Sequence, residues 1–109
     1  MPSNVPTMHT VTLAAANTEY NLDTLLRAID PTLPNRCLAV QIQFDSNAGA
    51  DWLHIGNPGG QAADDAGVEL FASQAFTVQS TESNIVMLTS VALWSNGAGH
   101  LVRATVITR

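Results

Sequence analysis

The sequence predicts an all-β fold: an antiparallel β-sandwich or small jelly-roll-like barrel with one short helix near residues 21-29. Three observations favour this class. About seven short runs are apolar or alternate between apolar and polar residues, as strands do. Only one stretch has helical spacing. Strands and helices do not alternate along the chain as they would in a parallel α/β sheet.

The chain length of 109 residues suits one domain, which we place at residues 8-109. Residues 1-7 contain two prolines and no periodic pattern. We therefore predict an N-terminal arm at residues 1-7, either frayed or ordered on a partner.

The first strand is predicted at residues 8-13, where threonines alternate with Met8, Val11 and Leu13. The helix follows, with Asn21 as its N-cap and Pro31 beyond its end. Its apolar stripe has the spacing i, i+3, i+4 and i+7: Leu22, Leu25, Leu26 and Ile29. At this length the stripe is expected to close one end of a β core.

The central strands are predicted at 37-44 and 52-56, and we expect them to form a hairpin with a long turn. Residues 57-67 contain one proline and three glycines, which is typical of a loop. Two further short strands are expected at 68-71 and 76-79.

The last quarter of the chain, 84-108, contains two β-compatible runs around Asn96-Gly97, the strongest short-range signal for a hairpin. The first run is apolar on both faces, so we expect both to be covered, either within a sheet or at a subunit seam. The second run is expected to be half-buried. One of its faces has Val102, Ala104 and Val106, and the other has Leu101, Arg103, Thr105 and Ile107.

The composition favours association with another protein surface. Charged residues make up only 12 %, against ~25 % in ordinary soluble domains, and the chain has no lysine. A net charge of −5 and four scattered arginines argue against direct nucleic-acid binding. The sequence predicts no membrane-spanning segment and no export signal. Cys37 cannot form an intrachain disulfide and is expected in the core.

No catalytic, cofactor or metal motif is predicted, so the chain is not expected to be an enzyme. The three histidines lack metal-ligand spacing, and a Walker A motif would need a lysine. The segment Asp45-Asp51 matches a cation-binding loop poorly, and whether it holds a weak cation site is left open. Trp52 and Trp94 could stack on a sugar ring, with Asp51, Asn57 and Asn96 as hydrogen-bonding groups.

From residue 11 onward the order of elements resembles the small β-sandwich virion structural proteins of tailed phages. These include head decoration or cement proteins and related fibre and tail modules. The shared features are a threonine-rich opening strand, the alternation at 38-44, a short strand ending in Gly56, and two closing strands around Asn96-Gly97. Those proteins often have a glycine shortly before the strand that begins here at Phe76, where this chain has Ser73 and Ala75.

The resemblance implies a head decoration protein that binds the major capsid protein and stabilises the shell. It also implies a homotrimer at the capsid surface of the virion, made in the host cytoplasm, with no cofactor. The alternatives are a tail, neck or fibre component, or a carbohydrate-binding, lectin-like module. The candidate partner-binding residues, chosen mainly by exclusion, are Pro2, Val5, Pro6, Arg27, Arg36, Trp52, Trp94 and Arg103.

Overall fold

The structure is a computed structural model that describes residues 5–59, 67–79 and 86–108. The predicted all-β fold is confirmed: antiparallel strands dominate, with one short helix. The elements in chain order are β1 Val5–Leu13, β2 Tyr20–Asn21, α1 Leu22–Ile29, β3 Arg36–Cys37, β4 Ala39–Phe44, β5 Leu53–Gly56, β6 Val68–Leu70, β7 Ala75–Gln79, β8 Val86–Met87, a 3-10 turn Leu88–Ser90, β9 Ala92–Ser95 and β10 His100–Thr108.

Two four-stranded sheets form the sandwich. The first sheet has the order β1-β10-β4-β7, the second has the order β2-β9-β5-β6, and β3 pairs with β8 alone. In the first sheet Val102 lies opposite Val11 on one side and Phe44 on the other, and all three are buried. This register fixes which residues of each strand face the core, because side chains alternate between the two faces.

The core lies between the sheets. The predicted half-burial of β10 is confirmed: Val102, Ala104 and Val106 are buried, while Leu101 and Arg103 are exposed. Cys37 is also buried, and burial raises the pKa of its thiol to about 11. The core therefore draws on the alternation that the sequence predicted.

The helix α1 begins and packs as the sequence predicted. The Oδ1 atom of Asn21 accepts hydrogen bonds from the backbone N–H groups of Asp23 and Thr24. Leu22 and Leu26 are buried, whereas Ile29, the last residue of the predicted stripe, remains 51 % exposed. One turn of the amphipathic stripe therefore lies on the core and its final residue does not.

The predicted N-terminal arm is partly wrong. Val5, Pro6 and Thr7 belong to β1, where they pair with Thr108, Ile107 and Val106. Residues 1–4, including the candidate Pro2, lie outside the described residues. The strand predicted to begin at residue 8 thus extends into the arm, because β10 offers partners along its whole length.

Both predicted hairpins are wrong. β4 pairs with β10 and β7, whereas β5 pairs with β6 and β9. Similarly, β9 belongs to the second sheet and β10 to the first. The chain between these strands passes from one sheet to the other, so both connections are arches.

The run predicted as one strand over 85-94 is interrupted. Within its described part the 3-10 turn Leu88–Ser90 separates β8 from β9. Val86, Leu88, Val91 and Leu93 are all buried by the chain itself. A second subunit is therefore not needed to cover them, so the apolar character of this run no longer supports the predicted subunit seam.

Position 73 clarifies the departure from the resembling proteins. Ser73 has a φ of 65°, in the left-handed region that favours glycine. The turn before β7 thus needs here the conformation that a glycine adopts easily.

Within the part of the chain that the structure describes, no helix has the length and apolar character of a membrane-spanning segment.

Candidate functional site

The outer face of the first sheet spans four strands, and we call it the neutral face. Its members are the residues of β1, β10, β4 and β7 that alternate with the buried ones. They are Pro6, Met8, Thr10, Thr12, Leu101, Arg103, Thr105, Ile107, Ala39, Gln41, Gln43, Ala75, Thr77 and Gln79.

The neutral face carries one charge. Arg103 is its only charged residue, and none of its members is acidic. The acidic residues that the structure describes lie elsewhere: Glu19, Asp23, Asp30, Asp45, Asp51 and Glu69. A chain of net charge −5 therefore presents a sheet face from which carboxylates are missing.

Apolar and polar uncharged groups are mixed across this face. Met8 is 75 % exposed and Leu101 is 37 % exposed, among threonine and glutamine side chains. Met8, Thr105, Gln41 and Thr77 form one continuous row across the four strands. Such a surface costs less to dehydrate than one that carries ionised groups.

Next to that row lies a second one, Thr10, Arg103, Gln43 and Ala75. A groove of about 260 Å³ runs between the two rows, with Met8 at one end. The Nε2 atom of Gln43 donates a hydrogen bond to the carbonyl oxygen of Ser73 at 3.1 Å, which fixes that side chain. The groove is therefore lined by hydroxyl, amide and guanidinium groups held on regular strands.

The size of the neutral face limits what it can do alone. With strands about 4.8 Å apart and roughly 3.3 Å per residue, four strands of five to nine residues cover on the order of 500 Å². A standard interface buries about 800 Å² on each partner. One copy would thus bind modestly, and many copies on a lattice would gain from avidity.

The outer face of the second sheet carries both tryptophans, and we call Trp52, His54, Glu69 and Trp94 the aromatic face. His54 lies opposite Trp94 on one side and Glu69 on the other. The rings of Trp52 and His54 stack with centroids 3.8 Å apart and planes 17° apart. His54 is buried, and its Nε2 atom lies 2.8 Å from Oε1 of Glu69, whose side chain is 40 % exposed.

The polar residues predicted to help the tryptophans bind sugar form bonds within the protein. Asn96 accepts the backbone N–H of Trp52 at 2.9 Å. Asn57 donates to the carbonyl of Ser90 at 3.2 Å. The sequence predicted that Asp51 would supply a carboxylate beside the tryptophans. In the structure, Glu69 is a carboxylate residue that lies on the aromatic face.

Asp51 belongs to a third cluster, at the end of the sandwich where both arches meet. The Nε2 and Nδ1 atoms of His100 lie 2.7 Å from Asp51 and 3.3 Å from Asp45, respectively. The hydrogen bond with Asp51, more than that with Asp45, holds the pKa of His100 above its usual value. Hydrogen bonds from the backbone of Asn47 and Leu101 lower the pKa of Asp45.

The sequence left open a weak cation site at Asp45-Asp51, and the two ends of that segment belong to this cluster. Both carboxylates direct an oxygen at a ring nitrogen of His100, so the imidazole occupies the centre between them. Within residues 5–59, 67–79 and 86–108, no group of three or more His, Cys, Asp or Glu side chains is arranged to hold a metal ion. The cluster ties the two arches together through hydrogen bonds.

The sequence-predicted binding residues fall on different parts of the molecule. Pro6 and Arg103 lie together on the neutral face, and Val5 begins the strand that carries Pro6. Trp52 and Trp94 lie together on the aromatic face, on the opposite side of the sandwich.

The other two predicted arginines join neither face. Arg27 lies on α1 and forms a 2.9 Å ion pair with Asp23. Arg36 is exposed on β3. Sequence reasoning missed Met8 and Gln41 as site residues, although the alternation of β1 and β4 would have placed both on outer faces.

Comparisons of the chain with protein-family models, curated proteins and solved structures gave no match.

Proposed function

We propose that this chain is a virion structural protein of a tailed bacteriophage, a head decoration (cement) protein that binds the outer capsid surface through its neutral face. The observation that carries the proposal is the neutral face itself, fourteen outward residues with one charge in a chain of net charge −5. The order of elements, which resembles that of phage decoration proteins, supplies the biological context.

The proposed mechanism is passive and depends on copy number. Each copy covers a seam between neighbouring capsid subunits and buries uncharged surface there. Because one face offers only on the order of 500 Å², a single contact is weak. Many copies repeated on a symmetric shell strengthen the attachment through avidity. The resemblance favours a homotrimer on a three-fold axis, which sedimentation equilibrium of the shell-free protein would measure.

A tail, neck or fibre component could use the same face, so location decides between the two forms of the proposal. An electron-microscopy reconstruction of virus particles from the source would show the chain on the shell or on the tail. Density on the tail would replace the cement role, and absence from the particle would refute both.

The contribution of the neutral face is tested by Met8→Glu. Met8 is 75 % exposed, so the substitution leaves the core intact while adding a charge that attachment must dehydrate. We expect roughly tenfold or greater weakening of co-sedimentation with shells stripped of the protein. Ile29→Glu is the matched control, because Ile29 is an exposed apolar residue on α1. Equal attachment of both variants would remove the neutral face from the mechanism.

A carbohydrate-binding module is the second candidate function. It is favoured by the position of Trp52 and Trp94 on one outer face beside the half-exposed carboxylate of Glu69. A saturable signal on a glycan array that is lost in Trp94→Ala, with the melting temperature preserved, would support it. Attachment to shells without any glycan signal would contradict the carbohydrate-binding function, and the cement role would remain.

A further inference from the structure

We propose that Arg103 is the anchor of the neutral face and receives an Asp or Glu carboxylate from the partner protein. This inference rests on the proposed function and deepens it by naming the chemistry of the partner. The observations that carry it are the position of Arg103, its lack of an acidic neighbour and the groove beside it.

Arg103 lies on β10, a central strand of the first sheet, between Thr10 and Gln43 in the register. Among the described residues it forms no ion pair, whereas Arg27 is paired with Asp23. Its side chain is therefore available to a group from outside the chain.

Burial of the neutral face against another protein would dehydrate this guanidinium. An unpaired buried charge is strongly destabilising, whereas a paired one is largely compensated. The face can therefore be covered tightly only by a surface that brings a negative group to Arg103. Arginine suits this role because its planar fork binds a carboxylate with two parallel hydrogen bonds.

The groove between the two rows gives that carboxylate a place to enter. Its volume of about 260 Å³ is below the ~300–1,000 Å³ of typical small-molecule pockets, and it suits a protruding side chain better than a cofactor. Thr10 and Gln43 lie on either side of Arg103, and they offer further donors to a bound carboxylate. Met8 supplies an apolar contact for the methylene carbons of the entering side chain.

The same arrangement argues against a second copy docked face to face. An isologous contact through the neutral face would cover each Arg103 with the neutral face of the other copy. That face has no acidic residue to pair with the guanidinium. The occupant is therefore a different protein that presents an acidic side chain within an otherwise uncharged patch.

The absence of lysine from the chain makes a direct test available. Arg103→Lys places a single side-chain amine in the groove, and a carbodiimide joins such an amine to a carboxylate only where the two are in contact. Stripped shells are loaded with this variant, treated with carbodiimide and analysed by peptide mass spectrometry. Arg36→Lys is the matched control, because Arg36 is exposed and lies outside the neutral face.

We expect a cross-link from position 103 to an Asp or Glu of the shell protein, and none from position 36. In parallel, Arg103→Gln should weaken co-sedimentation of the folded protein with stripped shells by roughly 10- to 100-fold, whereas Arg36→Gln should not. Thermal unfolding of both glutamine variants confirms that the fold is retained.

The possible failures are distinguishable. If the wild-type protein does not sediment with shells, the proposed function falls and this inference falls with it. If the wild type attaches and Arg103→Gln attaches equally well, only the anchor role of Arg103 is overturned. A cross-link from position 103 to this chain's own peptides, or weakened binding of Arg103→Gln without any cross-link from the lysine variant, overturns the heterologous carboxylate.

Discussion

Substitution of Gly97 by alanine should break the cluster that ties the two arches together. A methyl group at position 97 would overlap Oδ2 of Asp51 and Nε2 of His100, the two atoms of the shorter hydrogen bond in that cluster. Gly97 is not in the left-handed backbone region, so the effect would come from this overlap. The backbone N–H of Gly97 also donates to Oγ of Ser95, which limits how far the loop can move away.

The size of the effect follows from the bond that is lost. A hydrogen bond to a charged group contributes about 1.5–3 kcal/mol, and exposure of the Asp51 side chain, 40 %, reduces this to about 1 kcal/mol. For a domain near this size, we therefore expect the melting temperature to fall by about 4 °C or slightly more.

The loss should depend on pH, because the pKa of His100 is raised in the folded state. Its stabilising contribution is fully present below the unfolded pKa of about 6.5 and disappears as the pH rises through the raised folded value. Gly97→Ala should therefore cost more at about pH 5.5 than at a pH above the raised pKa of folded His100, where the imidazole is neutral. NMR titration should show the pKa of His100 falling towards its ordinary value.

A double-mutant cycle supplies the control. In a His100→Gln background the pH-dependent part of the Gly97→Ala loss should vanish. An equal loss at both pH values in the wild-type background, or an unchanged pKa of His100, would show that the methyl group acts by steric strain alone and would refute the reasoning.

Three further predictions concern stability and reactivity. Ser73→Gly should stabilise the fold by about 0.5–1 kcal/mol, because it relieves a left-handed residue at some cost in unfolded-chain entropy; a lower denaturation midpoint would contradict this. Cys37 should react with a disulfide reagent at neutral pH only after unfolding, because burial raises its pKa to about 11; rapid native-state reaction would argue against that burial. Deletion of residues 1-7 should lower the melting temperature, because Val5–Thr7 pair with β10; an unchanged value would show that this pairing contributes little.

The sequence was informative about strands and uninformative about their partners. Alternation identified β4 and the two faces of β10, because burial imposes a period of two on any half-covered strand. The Asn96-Gly97 step was predicted to form a hairpin turn, but it lies in an arch between the two sheets. The local composition of a hairpin turn and of an arch is similar, so it does not distinguish them. The difference lies in long-range bonds: the carbonyl of Ser95 accepts from Asn17, and Gly99 donates to Leu13.

The candidate site was only partly predictable for the same reason. From the sequence alone, the alternation of β10 placed Arg103 on the face opposite Val102, Ala104 and Val106. That Thr10 and Gln43 flank it depends on strand pairs separated by tens of residues, and no local pattern specifies them. The aromatic face likewise required the register of β5 with β9, which brings Trp94 beside His54.

The position of β10 in the first sheet has a consequence during protein synthesis. β1 and β4 do not pair with each other: in the described residues β1 pairs with β10, and β4 pairs with β10 and β7, so residues 100–108 are needed to join them. The ribosome makes those residues only after both partner strands, so β1 and β4 must wait without the strand that joins them. At roughly 5–20 residues per second, this wait lasts several seconds, during which the unpaired edges are open to other chains. Nascent copies on one messenger RNA should therefore benefit from a chaperone that shields β1 until translation has delivered β10.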